Sequence, residues 1–411
     1  MLAPEERLQT VLVTDAERGS ALAIIRSLNR KGLRVVAAAS DPLSPGFRSR
    51  HAQERLLYPS PQTAAAEFVE TVLGAVTSLG IDLIIPVTEE VILLLAGERH
   101  RFEELCQIAM PDAQILAATR NKAQTMEMAT QLEVPLPLTF TVETMEQAVE
   151  CAGQLHWPIV LKPVLSRKVD RQKGNIEKFA VSYANDMQML RRKMQLYEGR
   201  CPVLLQEYYL GEGQGVELLA YKGQPLAAFQ HRRLCEIPVQ GGASALRESM
   251  ALDPQLYEYA RRLTEAMNWT GLLMVEFKVS EQGAKLMEIN GRVWGSLPLA
   301  VASGMDFPGR LVDLHRGQLV NLNDVPDTNY RIGVQAADAE MLLMWLLQVL
   351  WGKRSYDFLP FPARRQILPV LRKLLSTRLS YDILSLDDPR PGIAMFVKMG
   401  RKMFRKIGLL R

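Results

Sequence analysis

Leu286-Met287-Glu288-Ile289-Asn290-Gly291-Arg292, read with Met274-Val275-Glu276-Phe277 just upstream, decides the fold of this chain. Both runs are short, apolar-rich and bounded by turn residues, the pattern of β-strands. Side chains alternate faces along a strand, so Glu288 and Asn290 share one side while Met287 and Ile289 point into a core. Glu276 lies between Val275 and Phe277 in the same way. Ser280-Glu281-Gln282-Gly283-Ala284 supplies a hairpin turn. The hairpin sets Glu276 beside Glu288 and Asn290. Carboxylates opposed across a hairpin repel each other unless a cation lies between them. Three hard oxygen donors on rigid strands suit Mg²⁺, which takes oxygen ligands in octahedral geometry and often shares substrate phosphates. Arg292 follows on the same face, placed to hold an anion. A surface hairpin with exposed acids is the alternative for this pair taken alone.

The rest of the chain supplies the context. Val11-Leu12-Val13-Thr14 reads as a buried strand, 19–30 as a helix with Leu22, Ile25 and Leu28 on one side, and 33–39 as a second strand. This β-α-β start predicts a doubly wound parallel sheet. The loop after the first strand lacks G-x-G-x-x-G, so NAD binding is not indicated. A strand at 81–86 and a helix over 89–104 follow. From Asn121 the character changes: a helix over 122–132, then a strand Trp157-Pro158-Ile159-Val160-Leu161-Lys162-Pro163. The polar, basic stretch 166–178 is expected to be mobile. Val203-Leu204-Leu205-Gln206-Glu207-Tyr208-Tyr209-Leu210 is another strand, and 215–220 with 225–230 form a hairpin around Lys222-Gly223.

Composition bounds the chemistry. The 411 residues predict two to four structural units, and 48% hydrophobic with 23% charged residues is ordinary for a globular protein. Cys106, Cys151, Cys201 and Cys235 lie far apart, without a Cys-x-x-Cys pair, which fits a reducing cytosol. The five histidines show no metal-ligand spacing, against a zinc or iron enzyme. The N-terminus reads as lacking a signal peptide, and no apolar run reaches bilayer length. Net charge is +4, but residues 331–411 hold 15 Lys and Arg against 6 Asp and Glu, a balance of +9.

A helix lysine, a Leu-Lys-Pro strand, a Gln-Glu-Tyr-Tyr-Leu-Gly hinge, Val-Glu-Phe and Glu-Ile-Asn-Gly-Arg occur here in that order. The set resembles the ATP-grasp superfamily over about residues 1–320, most specifically in its last two members. Biotin carboxylase and carbamoyl phosphate synthetase are relatives of this kind. The resemblance implies an N-terminal Rossmann-like domain (1–118) and an ATP-grasp domain (119–330, dividing at 210). A basic, mainly helical extension (331–411) follows. It implies an α/β and α+β fold in which ATP lies between two closing subdomains. Lys122 and Lys162 then contact the α- and β-phosphates. Gln206, Glu207, Tyr208 and Tyr209 form the adenine segment, with the backbone of Glu207 and Tyr209 reading the base. Glu276, Glu288 and Asn290 bind magnesium, two ions with Mn²⁺ as a substitute, and Arg292 steadies the transferred phosphoryl group.

Two departures accompany the likeness. The phosphate-covering loop, usually glycine-rich, is here cationic. Gly213 stands where the ribose-binding glutamate is expected, leaving that role to Glu212, to Glu217 or to neither. His231-Arg232-Arg233 and Gly241-Gly242-Ala243-Ser244 read either as a basic strand end with a flexible loop or as a second anion site. In the second reading Arg232, Arg233 and glycine-loop N–H groups grip a carboxylate and its phosphate. The segment from Gly291 to Ser303, with Trp294-Gly295-Ser296-Leu297-Pro298, resembles the substrate side of carboxylate–amine ligases and lacks the Gln-Val-Glu-His run of biotin carboxylase.

The function implied is an ATP-dependent carboxylate–amine ligase working through an acyl phosphate. The alternatives are a synthetase using bicarbonate or a thiol acceptor and a non-catalytic ATP-binding module. Partners implied are a small-molecule carboxylate and an amine, without nucleic acid, with a homodimer as one permitted assembly. The location implied is the cytoplasm. The basic tail, 364–375 and 397–411, either docks at a membrane's inner face or an acidic partner, or packs as helices on the body.

Overall fold

The computed structural model describes residues 8–170, 174–318, 325–374, 376 and 379–406, with side chains through residue 401. The first unit is a parallel sheet of β1 (Thr10–Val13), β2 (Arg34–Ala39), β3 (Glu54–Leu57), β4 (Leu83–Ile85) and β5 (Gln107–Ile108). Their order, β3-β2-β1-β4-β5, is doubly wound as the β-α-β start implies. Val11, Leu12 and Val13 are all buried because helices cover both faces of a parallel sheet. The first helix spans Gly19–Arg30 and buries Leu22, Ile25 and Leu28. The helix expected over 89–104 ends at Gly97, a poor helix former, and a 3₁₀ turn Arg99–Arg101 follows.

The second unit is an antiparallel sheet ordered β10-β7-β11-β6. It contains β6 (Thr139–Val142), β7 (Ile159–Pro163), β10 (Ser182–Ala184) and β11 (Val203–Glu207). Between β7 and β10, β8 (Arg167–Asp170) pairs with β9 (Asn175–Lys178). The stretch expected to be mobile is thus a β-hairpin, with 171–173 outside the described residues. It lies against the first unit. Arg167 Nε donates to Glu90 Oε1 at 2.9 Å, and Ile176 joins the apolar cluster around Phe68 and Leu116. Val169 and Ile176, paired across the hairpin, give it an apolar side that the charged composition hides.

The third unit is a seven-stranded sheet ordered β16-β15-β12-β13-β14-β17-β18. Its strands are β12 (Glu212–Tyr221), β13 (Gln224–Ile237), β14 (Ala243–Met250), β15 (Gly271–Ser280), β16 (Gly283–Asn290), β17 (Gln335–Ala337) and β18 (Leu379–Tyr381). β15 and β16 form the expected hairpin, with Glu276 opposite Glu288 and Met274 opposite Asn290. Val275, Phe277, Leu286 and Ile289 share one core with Trp269. Met287 does not point into that core. The register shifts between Glu276 and Phe277, so Met287 is an extra residue without a cross-strand partner and lines the site cavity instead.

Gly291 joins this hairpin to the next segment under close constraint. A Cβ there would lie 2.4 Å from the buried indole of Trp269. Gly291→Ala should therefore destabilise the protein by about 1–3 kcal/mol through overpacking. Urea unfolding checks this; an unchanged midpoint would mean that the indole moves aside freely.

The C-terminal region is less separate than its composition suggests. β17 extends the large sheet and β18 adds to it in parallel, Ala337 beside Tyr381. Helices Ala339–Trp351, Ile367–Lys373 and Arg390–Lys406 accompany them. Both tail segments contact the body, the first by burying Val370 and the second through Lys398. Arg26 pairs with Asp388 at 3.1 Å and Lys398 with Asp41 at 2.6 Å. Pro369 lies in the first turn of its helix, where its missing N–H breaks no helical bond. Residues 407–411 are outside the described residues. Among the described residues no helix is long and apolar enough to cross a membrane.

Candidate active site

A cavity of about 480 Å³ lies where the three units meet. One wall carries Lys162 from β7 and Gln206 to Tyr209 from the end of β11; the opposite wall carries Glu276, Glu288, Asn290 and Arg292. Lys122, at the start of helix Lys122–Gln131, reaches the same acids from beneath. Its Nζ lies 3.4 Å from Glu288 Oε1 and donates to Ser166 Oγ at 2.7 Å. The Asn121 side chain fixes that helix start by accepting from Ala123 N and Gln124 N.

Burial alone would raise the Glu288 carboxyl, but Lys122, Lys162 and Arg292 overcome it and hold the group down at about 2. Burial lowers the Lys162 ammonium, against the attraction of Glu288 and Glu276. Its Nζ donates to the Met287 carbonyl that the bulge exposes. Glu276 accepts from Asn290 Nδ2 at 2.9 Å and pairs with Arg233 at 2.6 Å. Asn290 Oδ1 accepts from Arg292 at 3.1 Å. These contacts leave two carboxylates and an amide oxygen converging from adjacent strands, a donor set that fits Mg²⁺. Among the described residues no group of three His, Cys, Asp or Glu side chains gathers to hold a metal, here or elsewhere, so the set at this site is two carboxylates and an amide.

At the hinge, Gln206 is buried and donates to Thr139 Oγ1 at 2.9 Å. The Glu207 N–H is committed to the Leu138 carbonyl at 2.9 Å. Tyr208 packs edge-on to Tyr183, with Lys278 Nζ 5.6 Å from its ring. The Tyr209 hydroxyl sits 2.6 Å from Ser280 Oγ and donates to the Gly283 carbonyl, tying the hinge to the hairpin tip.

Arg232 and Glu212 do not line this cavity. Arg232 pairs instead with Glu248 at 2.7 Å and with Glu212 at 3.8 Å. Adjacent residues of a strand point to opposite faces, so Arg232 and Arg233 do not grip one anion together. Arg233 faces the cavity alone, between Glu276 and Glu236. Glu217 is sealed beneath, accepting from Ser296 Oγ at 2.7 Å and lying 3.0 Å from His231 Nδ1. Glu236 is the acid that reaches the cavity on this side, and sequence reading missed it. Register shifts between Arg233 and Glu236 bring both to the same face, and no residue pattern announces them. Lys278 was missed too. Burial lowers its ammonium, and Glu236 opposes that.

The same cavity is also lined by Trp294 and by residues beyond the hairpin. The glycine segment lines it, but Gly242 presents its carbonyl to Arg233 at 3.1 Å rather than an N–H to an anion. Arg18, Gly19 and Ser20 enter from the first unit, and Asp338 and Asp382 from the C-terminal region. The two aspartates directly follow the parallel strands β17 and β18, which sets them side by side. Arg247, also buried, pairs with Asp382.

Residues 200–340 match a family model described as ATP-grasp in the biosynthetic pathway with Ter operon. A curated relative is the alpha-aminoadipate–LysW ligase LysX of Sulfurisphaera tokodaii, 24% identical over 197 residues. That match takes in 46% of this chain and 65% of the relative's length, under two-thirds of it. Among solved structures, the biotin carboxylase domain of Hydrogenobacter thermophilus 2-oxoglutarate carboxylase, in complex with MgADP and bicarbonate, aligns with a TM-score of 0.60. The alignment covers 80% of this chain and 73% of that one at 17% identity. The L-amino acid ligase of Bacillus licheniformis aligns with a TM-score of 0.57, covering 80% and 79% at 14% identity. The match to the ATP-grasp family model spans the strands that carry Glu276, Glu288 and Asn290, and the likeness in fold to these solved structures reaches across most of the chain.

Proposed function

We propose that this protein is an ATP-dependent ligase that joins a carboxylate to an amine through an acyl phosphate. One observation carries the reading. A single cavity is lined by a tyrosine-rich hinge, by oxygen donors ringed by cations and by polar groups of the first unit and the C-terminal region. ATP would lie with its base at the hinge, the Glu207 carbonyl and Tyr209 N–H on its edge. Glu236 replaces Glu212 as the acid on the ribose side. Lys122 and Lys162 suit the α- and β-phosphates, because an ammonium is a compact point charge. Glu276, Glu288 and Asn290 would hold Mg²⁺, which when bound neutralises charge on the β- and γ-phosphate oxygens.

The protein's own part is positioning. Arg292 and Arg233 flank the acids and steady the phosphoryl group. A carboxylate oxygen of the first substrate attacks the γ-phosphorus, the bond to ADP breaks, and an acyl phosphate forms. The amine then attacks the acyl carbon, phosphate leaves, and the amine's proton is lost. Asp338, beside Asp382 in the cavity lining, is suited to receive the amine while it is still cationic. The family resemblance places no carboxylase-type Gln-Val-Glu-His run here, which favours amide formation over bicarbonate chemistry. The L-amino acid ligase and the LysW ligase are both named as ligases, in keeping with this reading.

Hydroxylamine tests the intermediate. With ATP, Mg²⁺, a panel of candidate acids and hydroxylamine in place of the amine, each acid that releases phosphate should yield an equal amount of hydroxamate. Phosphate release without hydroxamate would contradict the acyl-phosphate route.

A further inference from the structure

Helix Ala339–Trp351 is apolar nearly all the way round. One side, Leu342, Trp345 and Val349, is buried against Leu246 and Ala245. The other side is open: Leu343, Met344 and Leu350 are 44–51% exposed and Trp351 is 70% exposed. Their spacing puts them in one stripe along the helix. The neighbouring helix Ile367–Lys373 packs on it, burying Val370 and leaving Leu368 and Leu371 exposed. Exposed apolar side chains gathered on two packed helices mark an interaction site rather than scattered surface residues.

The surroundings are basic. Lys353, Arg354, Arg364, Arg365 and Arg372 are all exposed. Over 339–374 only Glu340 and Asp357 are acidic. This charge decides between occupants. A second copy seated by two-fold symmetry would press the five-cation rim against its own image, and like charges across an interface are unfavourable. An anionic lipid surface satisfies both features at once. Aliphatic and indole groups enter the acyl boundary while Lys and Arg meet the headgroups, and a Trp at the helix end suits that boundary.

We propose that the face formed by helices Ala339–Trp351 and Ile367–Lys373 docks the protein peripherally on an anionic lipid surface. This does not depend on the ligase reading. It differs from docking by the last helix, which is held to the body beside the Arg26–Asp388 and Lys398–Asp41 pairs.

Vesicle flotation of the full chain is the test, using phosphatidylcholine with and without phosphatidylglycerol. The protein should float only with phosphatidylglycerol present, and less as salt rises. Leu343→Glu/Leu350→Glu/Trp351→Glu and, separately, Arg364→Glu/Arg365→Glu should each cut the bound fraction about tenfold with the melting temperature kept. Ile393→Glu/Phe396→Glu, on the last helix, should change it by less than about twofold. The proposal fails if the wild type stays down with both vesicles, or if only the last-helix variant loses binding. It also fails if sedimentation shows a dimer that the triple variant dissolves while no vesicle binding occurs, which would assign the face to a second copy.

Discussion

Glu288→Gln should lower turnover by roughly 10²–10³-fold or more, the scale of losing a group aimed at transition-state charge. The substitution keeps the side chain's shape and removes only its charge. That charge faces Glu276 across the hairpin and is held ionised, near 2, by Lys122, Lys162 and Arg292 against its own burial. The variant therefore loses a cation ligand and also leaves two ammonium groups, at Lys122 and Lys162, short of a counter-charge. Lys162, already lowered by burial, should fall further, so ATP affinity in the variant should weaken as pH rises and the ammonium is lost. Without nucleotide the variant should also lose about 1–2 kcal/mol of stability, discounted because Glu288 is partly open to solvent. Phosphate release, ATP titration and thermal melting read the three effects. Unchanged phosphate release would remove Glu288 from the metal set.

Arg247→Met should cost about 3–5 kcal/mol, the largest single effect on stability expected in the chain. Arg247 and Asp382 are both almost fully buried and paired with each other. Removing one partner strands the other's charge inside the protein, and that penalty exceeds the worth of the pair itself. Burial raises the Asp382 carboxyl, Arg247 lowers it and Asp338 raises it again. Without Arg247 it rises further. A carboxyl raised in the folded state contributes stability below its unfolded value near 3.8 that is lost as pH rises through the folded value. The variant's deficit should therefore shrink in acid and grow toward neutrality. Arg247→Met/Asp382→Leu should recover part of the loss, because no charge is then left unpaired. Denaturant unfolding of the two single variants and the double variant closes the cycle. Additive losses would show that the two groups are not coupled.

Asp382 also explains why this part of the cavity lining was not legible in sequence. It lies 135 residues from Arg247, and the strand before it has three residues, all half-buried. Such a segment carries no usable alternation. The opposite holds for the hairpin of Glu276 and Glu288. Two regular runs there share one short turn, so period-two alternation places both acids correctly. Alternation failed where an extra residue entered a strand. Met287 and Glu236 each sit beside a register shift set by packing across the sheet, which neighbouring residues do not encode. Arg232 is a different case. Its opposition to Arg233 was implicit in the strand pattern, and grouping the two by charge ignored it. The hairpin of β8 and β9 was hidden by composition, since its order comes from Ile176 and Arg167 docking on another unit.

The most direct test of the central claim follows oxygen. An acid labelled with ¹⁸O in its carboxylate is turned over with ATP and its amine partner, and the released phosphate is analysed by mass spectrometry. Attack of the carboxylate on the γ-phosphorus carries one labelled oxygen into phosphate for each amide formed. Amide formation with unlabelled phosphate, the displaced ¹⁸O appearing instead in water or in AMP, would contradict activation by transfer of the γ-phosphoryl group, and with it the role proposed for this cavity.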